Sequence, residues 1–152
     1  MMTLRTCSMT PSLHFYIAAR SQDAAIQLKQ ELESRGHVCT ARWISDATFD
    51  KKKTFEEKQT AAIMDLEDVL EAKDGLILLS EVEGVMVPGG KHVEMGFALA
   101  HRHPIYVVGR LENTLQFHPA VKHCPTLSDF LRLLPSSDTE RGKTTLPSAT
   151  QR

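Results

Sequence analysis

The chain has 152 residues, 41% of them apolar and 24% charged, with a formal net charge of -1. That length predicts one domain around one solid core, and the interspersed, near-neutral charge argues against long nucleic acid as a partner. No run reaches the ~18 apolar residues of a membrane helix and no signal-peptide core opens the chain, while Cys7, Cys39 and Cys124 suit neither a disulfide framework nor a zinc motif, so the expectation is a cytoplasmic protein with no membrane partner.

Residues 1–12 read as a flexible lead-in. Residues 13–19 (LHFYIAA) read as a first strand. Ser21 or Asp23 can cap a helix running to Arg35, with Ala25, Leu28 and Leu32 on one face and Gly36 as its stop. Residues 38–44 read as a second strand with Trp43 at its end. The longest predicted helix covers 55–72, with Phe55, Ala62, Ile63, Leu66, Val69 and Leu70 as its apolar stripe. Glu67, Asp68 and Glu71 fall on its solvated face. Residues 75–79 form a third strand, and a Pro88-Gly89-Gly90 turn then leads into a further helical pattern. Gly96 lies inside that pattern, where close packing of helix on sheet would offset its cost. Residues 105–108 and 120–124 read as fourth and fifth strands, and 128–134 as a last helix with Phe130, Leu131 and Leu134 facing in. The tail, 135–152, carries too little apolar surface to offset its ordering entropy and reads as disordered.

This alternation predicts one α/β domain over 13–134: a doubly wound, mostly parallel five-stranded sheet with helices on both faces, flavodoxin-like or Rossmann-like. Right-handed crossovers bring the ends of strands one, two and three to a common edge. Open α/β sheets bind ligands at that edge. Three segments should meet there: Ala19 and Arg20 after strand one, Trp43 after strand two, and Ser80 with the loop to Glu94 after strand three.

Glu94 sits near the start of its helix, where the helix end and Lys91 would favour the ionised form. An ionised carboxylate can attack a sugar C1 carbon; a solvated helix-start glutamate would look the same in sequence. Gly89 and Gly90 let backbone approach a ligand and hold an anion on free N–H groups, or they form a simple turn. Asp65, at the margin of its helix's apolar stripe, can point into a cleft or be an ordinary boundary residue. Tyr16 belongs to the first strand, where a tyrosine is more often core than catalytic. Arg20 is placed to hold a phosphate or sugar hydroxyl, and Trp43 to stack on a ring or cap the core. His101 and His103 flank Arg102 at a helix end, where the dipole favours them; no third ligand makes them a metal pair.

The segment GGKHVEMGFALAHRHPIYVVG, together with the strand FYIAA, the helix carrying Asp65, and Asp74 before strand three, resembles the nucleoside 2-deoxyribosyltransferase superfamily over about 13–134. That superfamily includes deoxynucleoside 5'-monophosphate N-glycosidases. The resemblance implies that Glu94 is the nucleophile on the anomeric carbon, Asp65 assists proton transfer to the leaving base, and Tyr16 contacts the nucleophile region. It implies a small nucleoside or nucleotide substrate, no metal or organic cofactor, and a homodimer or larger homo-oligomer whose neighbouring subunit completes the pocket. The chain departs from the family six residues before Glu94, where Pro88 replaces the aspartate of free-nucleoside transferases and the serine of monophosphate glycosidases. Its basic, glycine-bearing loop (Gly89, Gly90, Lys91, His92) tilts the expected substrate toward a nucleotide. The alternative is a non-catalytic nucleotide-sensing module on the same fold. A flavodoxin-type flavoprotein fits less well, because no Ser/Thr-rich loop follows strand one.

Overall fold

The computed structural model describes residues 10–49, 51–86 and 88–135. The expectations for residues 1–9 and for the tail 136–152 lie outside the described residues.

Five strands form one all-parallel sheet: β1 (His14–Ala18), β2 (Val38–Cys39), β3 (Gly75–Leu79), β4 (Ile105–Val108) and β5 (Val121–Cys124), in the order β2-β1-β3-β4-β5. Four α-helices connect or cover them: α1 (Gln22–Ser34), α2 (Phe55–Glu71), α3 (Gly90–Ala100) and α4 (Leu127–Leu131). The central strands are continuous apolar runs because both faces are covered. Phe15, Tyr16 and Ile17 of β1 and Leu76, Ile77 and Leu78 of β3 are all buried. In this strand order the winding direction reverses between β1 and β3, which opens a crevice beyond their carboxyl ends.

The first helix begins where Ser21 accepts from the Ala24 N–H, and the chain leaves it at Gly36, whose φ of +84 is the left-handed stop. Beyond β4, Gly109 has a φ of +106, and an added Cβ would lie 2.9 Å from the Ser80 Cβ. Only glycine lets the chain pass that close to the end of β3.

Five expectations need correction. The second strand is only Val38–Cys39, and Arg42–Ser45, Trp43 included, is a 3-10 turn. Asp68 causes this: its carboxylate accepts from the Arg42 backbone N–H at 2.9 Å and from Arg42 Nε at 2.7 Å, pulling the chain off the sheet edge. Asp68 is therefore buried rather than on a solvated face. In α2, only the last turn packs in the core, with Val69 and the following Ala72; Phe55, Ile63 and Leu70 of the expected stripe are exposed. The N-terminal part of the helix instead lines a cavity, through residues such as Thr60, Ala61 and Met64. A Cβ on Gly96 would meet nothing within 4 Å, so close packing does not explain that glycine. The last helix is shorter than expected; Phe130 is buried within it and Leu134 just beyond it.

Among the described residues, no helix is long and apolar enough to cross a membrane, and no group of three or more His, Cys, Asp or Glu side chains is arranged to hold a metal ion.

Candidate active site

The crevice holds a buried pair. Tyr16 lies in the middle of β1 with no exposed surface, and its hydroxyl donates to Glu94 Oε1 at 2.9 Å. The strand supplies the tyrosine from below, and the first turns of α3 supply the glutamate from above. Burial is the main force on both groups. It pushes the Glu94 carboxyl up to about 7; the Tyr16 hydrogen bond opposes this and the Asp65 charge adds to it. Burial, then the Glu94 charge, pushes the Tyr16 phenol far up, so it stays a donor.

Glu94 lines a cavity of about 210 Å³. Ala19 and Arg20 border it from the end of β1, Asp65 from α2, and Pro88, Gly90 and Lys91 from the turn into α3. Trp43 and Phe49 close the remaining side. Their rings are paired, with centroids 5.1 Å apart. Trp43 is fixed by its indole N–H, which donates to the Ile17 carbonyl at 3.0 Å. The Gln22 amide holds the turn behind it through the Ile44 and Asp46 carbonyls, each at 3.0 Å.

A second, larger cavity of about 520 Å³ adjoins the first and shares Trp43, Phe49 and Asp65 with it. The buried Tyr16–Glu94 pair borders the smaller cavity, and buried groups with shifted proton affinity, rather than volume, make it the candidate site. Asp65 faces both spaces, and its carboxyl is raised by burial and by the Asp68 charge, with Lys53 and Arg42 opposing.

Three expected ligand-binding residues are engaged elsewhere. Lys91 borders the cavity, but its ammonium donates to the Leu79 carbonyl and to Glu112, both at 3.0 Å, so it neither contacts Glu94 nor presents a free charge to an anion. His92 meets the Asn113 amide at 3.2 Å, and burial holds it below the ordinary histidine range despite the Glu112 charge. Ser80 donates to the Arg110 carbonyl at 2.5 Å. Gly89 is the N-cap of α3 and offers no side chain to the helix end. Arg20 is exposed at the mouth, its guanidinium 3.4 Å from the Met86 carbonyl.

Sequence reasoning missed Phe49 and Glu112. A lone aromatic in the polar stretch DATFDKKK was the available signal for Phe49. Nothing in sequence marks Glu112, which reaches α3 from a distant loop. Comparison of the chain with protein-family models, with curated proteins and with solved structures finds no match.

Proposed function

We propose that this chain cleaves the N-glycosidic bond of a (deoxy)nucleoside or nucleoside 5'-monophosphate through a covalent glycosyl-Glu94 intermediate. The observation that supports it most is the Tyr16–Glu94 hydrogen bond at the wall of a cavity that Asp65 also lines. Two carboxyls with raised proton affinity thus border one space, where a proton can be held beside a substrate.

In the proposed reaction, an oxygen of ionised Glu94 bonds to the anomeric carbon as the bond to the base nitrogen breaks. The bonding pair leaves with the base, and protonated Asp65 supplies the proton that neutralises it. Water or a second base then attacks the same carbon. The ester bond breaks, Glu94 recovers its carboxylate, and Asp65 takes the proton from the attacking group. Tyr16 steadies the glutamate as an anion. Arg20 and the Gly90 backbone would meet the sugar or phosphate, and the Trp43–Phe49 pair the base. A homo-oligomer, implied by the family resemblance, belongs to the same proposal and is tested by sedimentation.

The test is product analysis. The protein is incubated with nucleosides and 5'-monophosphates, with and without a free acceptor base, and products are separated by chromatography. Base release by the wild type and its loss in Glu94→Gln support the reading, as does a glycosyl mass increment on the intact protein. Undiminished turnover in Glu94→Ala sinks it. Tight nucleotide binding with no base release would favour the sensing module instead.

A further inference from the structure

Among the described residues, the buried polar side chains are His37, Asp68, Lys91 and Gln116. Two of these, Lys91 and Gln116, belong to one cluster beside α3 for which the proposed reaction has no use. Lys91 Nζ contacts the Leu79 carbonyl at 3.0 Å, both Glu112 oxygens at 3.0 Å, and Glu81 Oε1 at 3.9 Å. Glu112 Oε1 also accepts the Glu81 backbone N–H at 2.6 Å. The Glu112 backbone N–H in turn donates to Gln116 Oε1 at 2.6 Å. One ammonium thus ties together the end of β3, the loop after it, and the loop between β4 and β5. A lysine has three donor hydrogens, and the Leu79 carbonyl and Glu112 Oε1 take two of them.

The location matters because α3 starts badly. Its N-cap is Gly89, with no side-chain hydrogen bond to the helix end. A helix end left in that state frays unless something else holds it. Lys91 is in the first turn, and residues three apart share a helix face, so fixing Lys91 fixes the rotation of Glu94. Met95 and Ala98 continue the same buried face toward the sheet.

We propose that the buried Lys91–Glu112 pair is a positioning device, standing in for the missing cap and holding the first turn of α3 so that Glu94 meets Tyr16. Lys91 is then a positioning residue rather than a phosphate ligand. The inference rests on the proposed reaction only in calling Glu94 catalytic; its test reads Glu94 directly and needs no turnover. Failure of the reaction and failure of the brace therefore show in different measurements.

The experiment is a carboxyl 13C NMR titration of Glu94 in the full chain. Removing Lys91 alone would leave Glu112 buried and unpaired, so the informative variant is Lys91→Met/Glu112→Leu, which replaces the pair with apolar side chains of similar size. The expected variant is folded, with a melting temperature close to that of the wild type, yet its Glu94 midpoint falls by roughly one pH unit as the loosened turn admits water. Glu112→Gln keeps the shape and weakens the pair, so a smaller fall in the same direction is expected. Lys91→Arg keeps the cation and should recover at least half of the shift. A folded double variant, or a folded Glu112→Gln, whose Glu94 titrates as in the wild type would overturn the proposal, because packing alone would then suffice.

Discussion

The two flanks of the first turn of α3 carry two carboxylates in opposite electrostatic states. Glu112, on one side, has an ammonium 3.0 Å away and a backbone N–H at 2.6 Å. Burial would push it up, but these partners hold it below the ordinary glutamate range. Glu94, on the other side, has among the described residues only a neutral phenol at 2.9 Å, and burial pushes it up to about 7. One carboxyl is a firmly held anion and the other is poised to change charge. Glu94 is the more deeply desolvated of the two, while Glu112 has a cation to outweigh its burial. The compensated carboxylate suits a structural role, and the uncompensated one suits chemistry.

That contrast can be broken from either flank. On the reactive side, Glu94→Gln should cost several powers of ten in turnover of any substrate the wild type cleaves, measured by chromatographic rates. On the braced side, Lys91→Met leaves Glu112 buried without its cation, and chemical denaturation should show a loss of about 3–5 kcal/mol. Replacing Glu94 instead should cost far less stability, because no ion pair is broken.

The pH dependence of stability should have opposite signs for the two groups. Glu94 binds its proton more tightly when folded, so its contribution is present below its ordinary value of 4.5 and is lost as pH rises toward about 7. Glu112 binds its proton less tightly when folded, so its contribution is present above the ordinary value and is lost as pH falls through the folded one. Denaturation curves across this range should flatten between about pH 4.5 and 7 in Glu94→Gln. Unchanged slopes would remove the contrast. If the proposed reaction holds, turnover should rise as pH approaches about 7, where Glu94 ionises. The smallest change expected is in Tyr16→Phe, which deletes the hydrogen bond that favours ionised Glu94. Its NMR midpoint should move upward by roughly one pH unit, and a downward move would contradict the assigned donor.

The sheet was legible in sequence where it is buried on both faces. Residues 75–79 and 105–108 are continuous apolar runs between turn signals, and they are strands over those same residues. The second strand was not legible, because the apolar pattern through Trp43 and Ile44 fits either a strand or a turn. The contact that decides it comes from Asp68, on another element. The same pairing buries a carboxylate that helical periodicity assigned to solvent. Topology alone puts Glu94 at the shared edge; Tyr16 and Asp65 join it only through the family resemblance, since pattern alone reads them as core and boundary residues. Phe49 and Glu112 were not legible, because loops carry them and no period governs a loop.

The chain contains one tryptophan, and its ring stands in the partition shared by both cavities, tied to the sheet through Ile17. Its ultraviolet emission therefore originates from a single known place. A molecule entering either compartment changes the polarity around that indole, so the protein carries a built-in optical probe of occupancy, read without labelling and without knowing the product.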